Sequence, residues 1–74
     1  MPKLPTIKGS ELVAALRKVG FETVRQRGSH VRFRHPDGRV VTIPIHAGEE
    51  LGRGLLRKVL RDADLSVEEL INLL

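Results

Sequence analysis

The segment at residues 27–34 constrains the fold more than any other part of the chain. A turn containing Gly28 precedes a run in which polar and apolar residues alternate. Successive side chains of a β-strand point to opposite faces, so the alternation predicts a strand with one apolar and one exposed face. The polar parity holds His30, Arg32 and Arg34, and the apolar parity holds Val31 and Phe33.

Two further strands are predicted beside this one, in an antiparallel meander. The three strands are expected at residues 21–26, 29–35 and 39–45, with β-branched residues and with turns at Gly28 and at residues 36–38 (PDG). Pro44 near the end of the third strand favours an edge strand or a strand terminus. A bulge near Gly28 would shift the parity of the central strand by one residue.

Three helices are predicted around the sheet. Ser10 is the expected N-cap of helix 10–19, which Gly20 ends. An apolar stripe at helical spacing predicts helix 52–62, and the capping box of Ser66 and Glu69 predicts a short helix 66–73. The predicted fold is α+β in the order α-β-β-β-α with an additional C-terminal helix. The helices cover one face of the three-stranded antiparallel sheet and leave the other open.

The composition predicts a single soluble domain spanning residues 1–74. The first seven residues, with Pro2 and Pro5, are expected to be extended. The chain has no cysteine, and its three histidines lack a metal-binding spacing, so neither a metal nor another cofactor is expected. Neither an apolar run of membrane-spanning length nor a signal-peptide pattern is present, so the expected location is the cytoplasm, with no membrane partner.

The charge is distributed unevenly along the chain. Residues 1–61 hold 13 basic and 5 acidic residues, a net charge of +8, whereas residues 62–74 hold 4 acidic residues and no base. A basic body attracts polyanions, although a solubilising surface would have the same composition. Because Phe21 and Phe33 are the only aromatic residues, a nucleic acid would be bound mainly through basic side chains and backbone.

The candidate chemistry centres on His30. Ser29 and His30 are neighbours in a strand and point to opposite faces, which argues against a Ser–His nucleophilic pair. An imidazole can act as a general acid or base near neutral pH, and arginines bind phosphate. RNA carries its own nucleophile, the 2′-hydroxyl, so one base and several cations suffice to cleave it without a metal. From parity alone, a solvated strand surface remains the favoured interpretation.

Six motifs together make the chain resemble the HicA family of toxin endoribonucleases, the toxin half of HicBA toxin–antitoxin modules. The motifs are LRKVGF at residues 16–21, RQRGSH at 25–30, FRHPDG at 33–38, VTIP at 41–44, LRKVLRDA at 56–63 and LSVEE at 65–69. The resemblance covers nearly the whole chain. It implies a fold like that of double-stranded-RNA-binding domains, cleavage of mRNA with arrest of translation, and neutralisation by a HicB-type antitoxin.

The family's catalytic histidine lies in its Gly-Ser-His motif, which matches His30 here. Val31 stands where some members have a second histidine or a lysine, and Asp64 where a glycine often ends the penultimate helix. The predicted RNA- and phosphate-binding residues are Arg32 and Arg34, then Arg27 and Lys8, together with Gly28 and Ser29 of the motif.

Two other functions fit the same sequence. A non-catalytic RNA-binding module would use the same basic sheet, and an interaction protein would present that sheet to an acidic partner. Whether His35 or His46 assists catalysis stays open.

Overall fold

The computed structural model describes residues 3–74, which form three helices and one three-stranded sheet. The elements are α1 (Gly9–Lys18), β1 (Glu22–Arg27), β2 (His30–Arg34), β3 (Val40–Pro44), α2 (Arg53–Ala63) and α3 (Val67–Leu73). The predicted α+β order and the C-terminal helix are confirmed, and every boundary lies within one residue of its prediction. Pro2, part of the predicted extended segment, lies outside the described residues.

The sheet is an antiparallel meander in the order β1-β2-β3. Gly28 adopts a left-handed conformation (φ +55°), and the two-residue turn places Arg27 opposite His30. The register is regular between β2 and β3, and β3 is an edge strand that ends at Pro44, as predicted.

The register shift lies between Thr23 and Arg25 of β1, and the turn at Gly28, where a bulge would have shifted the parity of β2, is regular. The two-residue turn closes without an extra residue, so the irregularity falls farther along β1, where Val24 is left without a partner in β2. The predicted parity of β2 is therefore preserved.

The core lies between the inner face of the sheet and the helices. Val31 and Phe33 of β2 and Val41 and Ile43 of β3 are buried there, and α2 packs against β3. All six residues of β1 are exposed, because the helix layer covers the other two strands and stops short of this one. The buried apolar residues outside the sheet are Leu4, Ile7, Leu12, Ala15, Leu16, Phe21, Leu56, Val59, Leu60, Ala63 and Leu70.

The first turn of α1 differs from the prediction. The N-cap is Lys8 rather than Ser10, and the helix begins at Gly9. The backbone N–H of Lys8 donates to Glu11 Oε1 at 3.0 Å. Because the Glu11 carboxylate accepts from the N–H of the extended residue before the helix, α1 begins one residue earlier than predicted. Gly9 lies against the residue that follows β3, since a Cβ at this position would be 3.3 Å from Ile45 Cγ2.

The other predicted helix ends are confirmed. Gly20 ends α1 with φ +104°, and the N–H of Phe21 donates to the carbonyl of Leu16. At the start of α3, Glu69 N donates to Ser66 Oγ and Ser66 N donates to Glu69 Oε1, both at 3.0 Å. The backbone hydrogen bond from Ser66 lowers the pKa of the Glu69 carboxyl.

Arg39 joins the β2–β3 turn to α2. Its guanidinium donates to both Asp37 oxygens, the shorter contact being 2.8 Å, and to the backbone carbonyl of Ala63. The same group lies 5.2 Å from the centre of the buried Phe21 ring. The hydrogen bond from Arg39 lowers the pKa of the Asp37 carboxyl.

Candidate active site on the open face of the sheet

The outer face of β2 presents three cationic or titratable side chains to solvent. His30, Arg32 and Arg34 are exposed, whereas Val31 and Phe33 are 7% and 1% exposed. The requirement to bury the two apolar side chains under the helices thus fixes the direction of the three polar ones. The predicted separation of the two faces is confirmed.

A shallow pocket of about 190 Å³ surrounds His30 on this open face. Its lining residues are Arg25, Arg27, His30, Arg32 and Thr42, which come from all three strands. The register explains the assembly. Arg27 lies opposite His30, while Arg32 lies between Arg25 on one side and Thr42 on the other. Directly opposed residues point to the same face about 5 Å apart, so these side chains converge.

Two of these lining residues, Arg25 and Thr42, were missed by the sequence prediction. A two-residue turn at Gly28 and Ser29 pairs residue 27 with residue 30 and therefore residue 25 with residue 32. That signal could have identified Arg25 from the sequence. Thr42 depended on the pairing of β2 with β3, whose connecting turn is longer and fixes the register less firmly.

The pocket is positively charged and has no carboxylate among its lining residues. Within residues 3–74, the side chains of Arg25, Arg27 and Arg32 form no ion pair, and the ion pairs that exist involve Asp37 and Asp62. Unpaired guanidiniums beside an imidazole can bind an anion bidentately while the imidazole exchanges a proton with it. Both phenylalanines are 1% exposed, so neither offers a ring for a base to stack on.

The structure does not bring the other predicted binding residues into this pocket. Arg34 lies at the far end of β2, about 13 Å along the strand, in a separate depression with Glu22 and Val24. Lys8 caps α1, where its backbone bridges to Glu50.

Gly28 and Ser29 form the turn that leads into β2. The carbonyl of Ser29 accepts a hydrogen bond from the N–H of Ile45 at 2.7 Å. This bond ties the end of β3 to the turn before His30, so the motif positions the histidine.

The two remaining histidines have different surroundings. Val19 O can only accept, so His35 donates to it through Nε2 at 2.8 Å, and His35 Nδ1 accepts from the N–H of Asp37 at 3.1 Å. The ring packs edge-on against Phe21, with centroids 5.2 Å apart. His35 is therefore a structural residue with both nitrogens engaged. His46 is exposed in the loop after β3 and does not line the His30 pocket.

A larger cavity of about 600 Å³ lies in the helix layer between the N-terminal segment, α2 and α3. It is lined by Lys3, Leu4, Arg53, Arg57, Ser66, Val67 and Glu68. No histidine lines it, so it lacks a side chain that ordinarily titrates near neutral pH, and the smaller pocket is the better candidate for acid–base chemistry. In residues 3–74, no three His, Asp or Glu side chains are grouped closely enough to hold a metal ion. No helix of this described range is long and apolar enough to cross a membrane.

Comparison with known families gives a match over most of this fold. Residues 9–65, from the start of α1 to just beyond α2, match the family described as HicA toxin of bacterial toxin-antitoxin. A search of curated proteins finds no match. Membership of such a family implies a toxin that has a cognate antitoxin as its partner. Since the match spans more than half of the 74 residues, the chain belongs to the HicA family of bacterial toxins.

Proposed function

We propose that this toxin is an endoribonuclease that cleaves mRNA in the cytoplasm and so arrests translation, with His30 as its general acid and base. The observation that supports the proposal best is the pocket itself. An exposed imidazole lies in one depression with three guanidiniums that form no ion pair within residues 3–74, and no carboxylate lines that depression. That combination suits a polyanion whose cleavage requires proton transfer.

In the proposed reaction, His30 removes the proton from a ribose 2′-hydroxyl. The resulting oxygen attacks the adjacent phosphorus, and the bond between phosphorus and the 5′-oxygen of the next nucleotide breaks. The 5′-oxygen leaves with a proton returned from the imidazolium or from water, which gives a 2′,3′-cyclic phosphate and a 5′-hydroxyl. Arg27, which lies opposite His30, stabilises the charge that develops on the non-bridging oxygens, and Arg32 binds the RNA backbone beside it. DNA lacks the nucleophile and is not cut.

The other predicted residues have supporting roles in this proposal. Gly28 and Ser29 form the turn that orients His30. Lys8, which lies outside the pocket, would contact part of a longer RNA away from the scissile phosphate, whereas Arg34 lies opposite Glu22 and would contribute less.

The decisive experiment compares the wild-type protein with the variant His30→Ala on end-labelled mRNA in the presence of EDTA. We expect wild type to produce fragments with 5′-hydroxyl ends, and His30→Ala to produce none, while its amide NMR spectrum stays dispersed. A DNA of the same sequence should remain intact.

The matched control is His46→Ala, which removes an exposed histidine outside the pocket. This variant should cut RNA at the wild-type rate. Cleavage by His30→Ala at the wild-type rate would refute the assignment, and an equal loss in His46→Ala would refute a single catalytic histidine.

An RNA-binding module without catalysis is the second candidate, because fold does not determine function and the same basic sheet suits RNA binding without cleavage. It predicts salt-dependent binding with full recovery of intact RNA, and it tolerates the loss of His30. The fragment assay therefore separates the two functions.

The same basic face suits the antitoxin. We propose a HicB-type partner with an acidic surface that covers the His30 pocket by charge complementarity. Addition of the antitoxin should then stop cleavage and protect the amides of β2 from solvent exchange. A complex that still cuts RNA at the free toxin's rate would argue against direct masking.

A further inference from the structure

We propose that Arg25, Arg32 and Thr42 form a second phosphate subsite, so that the open face binds two consecutive phosphates of an RNA strand. This inference rests on the proposed function for the identity of the substrate. It adds a footprint of defined length and a role for two residues, Arg25 and Thr42, that the sequence motifs do not identify.

The open face is organised in rows that run across the strands. The first row pairs Arg27 of β1 with His30 of β2. In the second row, Arg25 of β1 and Thr42 of β3 flank Arg32 of β2. The rows are two residues apart along each strand, which is roughly 6.6–6.8 Å. This spacing is similar to the separation of successive phosphates in an extended single strand.

The second row has more hydrogen-bond donors than the first. Each guanidinium offers five N–H donors, and the threonine hydroxyl adds one more. Within residues 3–74, these side-chain donors have no hydrogen-bond acceptor in the fold, although other arginine side chains of the same chain do. A phosphate placed over this row would be met from three strands at once.

The third row, at the far end of β2, differs from the first two in charge and in backbone geometry, so phosphate binding along the open face ends after the second row. Glu22 lies opposite Arg34, and its carboxylate opposes a third phosphate. The register shift between Thr23 and Arg25 leaves Val24 55% exposed between the rows. At the opposite end the turn at Gly28 and Ser29 closes the face. Two rows are therefore available for phosphates.

Base identity contributes little to this binding mode, because both aromatic rings of the chain are buried and the two rows carry phosphate-binding donors. The affinity for a nucleic-acid strand should rise with its number of phosphates, up to two. The sequence of the strand should matter less than its length.

The test uses oligothymidylates of two, three and four nucleotides, which carry one, two and three phosphates and lack the 2′-hydroxyl needed for cleavage. Affinities are measured by amide NMR titration at several salt concentrations. We expect the trinucleotide to bind about tenfold more tightly than the dinucleotide, the gain of one charge-assisted contact. The slope of log K against log salt should steepen by about 0.7. The tetranucleotide should bind within about twofold of the trinucleotide.

Two variants test whether the gain in affinity of the trinucleotide over the dinucleotide comes from Arg25. Arg25→Gln should bring the trinucleotide to within about twofold of the dinucleotide, while the exposed α2 variant Arg57→Gln keeps the full gain. A gain retained in Arg25→Gln, or a second tenfold gain for the tetranucleotide, would overturn the proposal. The ligands are uncleavable, so the subsite is tested independently of the nuclease. A toxin that shows the expected gain but never cuts RNA would refute the nuclease alone.

Discussion

Replacing Gly20 with alanine tests how the end of α1 is coupled to His35. Gly20 has φ +104°, a conformation that L-residues rarely adopt. An added Cβ would also lie 2.9 Å from His35 Nε2, closer than atoms can pack. The ring would have to move away from its acceptor, the carbonyl of Val19.

The expected loss of stability has two parts. The positive φ costs about 1–2 kcal/mol for a residue with a Cβ. Displacement of His35 forfeits its hydrogen bond to Val19, worth about 0.5–1.5 kcal/mol. We therefore expect the free energy of unfolding to fall by roughly 2–3 kcal/mol. A chain of this length has about 4–11 kcal/mol in total, so the melting temperature should fall by about 10–20 °C.

Gly38 provides the matched control. It has φ +100°, but a Cβ at this position would meet nothing within 4 Å. Gly38→Ala should cost only the backbone part, about 1–2 kcal/mol. Urea unfolding followed by circular dichroism measures both variants, and the difference between them isolates the contact with His35.

A double-mutant cycle completes the test. In a His35→Ala background, Gly20→Ala should cost no more than Gly38→Ala does in the wild type, because the clashing ring is gone. Equal losses for Gly20→Ala and Gly38→Ala in the wild-type background would refute the coupling.

Three further predictions concern the C-terminal helices. Asp64→Gly should stabilise the fold by about 0.5–1 kcal/mol in urea unfolding, because Asp64 ends α2 with φ 56° and glycine adopts that conformation without strain; a loss of stability would contradict this. The pKa of Glu69 is lowered in the folded state by its backbone hydrogen bond from Ser66. The ionised carboxylate therefore stabilises the folded state above about pH 4.5, its ordinary pKa, and this contribution is lost as the pH falls through the lower folded-state value. Glu69→Gln should reduce this acid sensitivity, measured as the free energy of unfolding against pH, and an unchanged profile would argue against it. Leu70→Ala should cost about 2–5 kcal/mol, because Leu70 is fully buried where α3 meets the core, and a cost below 1 kcal/mol would mean that α3 packs loosely.

Much of the fold was predictable because its signals are local. The parity of β2 follows from two apolar residues that must be buried, and it correctly placed His30, Arg32 and Arg34 on the open face. The capping box at Ser66 and the glycine at the end of α1 were equally predictable from the sequence. The start of α1 was mispredicted, since Ser10 is a good cap in isolation but Glu11 bonds to the N–H of Lys8.

The candidate site was only partly predictable, because membership of the pocket depends on register. The sequence identified His30, Arg27 and Arg32 but grouped them with Arg34, which lies in a different depression. The exposure of all six residues of β1 was not predicted, although Val24 is the one apolar residue among them.

By itself, the sequence determined the order of the elements, the two faces of β2 and the basic character of the open face. These features depend on side-chain periodicity, turn residues and charge, which act over a few residues. Tertiary structure decided that Thr42 joins the His30 pocket and that Arg34 does not, because membership of the pocket depends on how the three strands pair. It also decided that His35 would be a structural residue, since the carbonyl of Val19 that accepts from its Nε2 lies 16 residues away, at the end of α1.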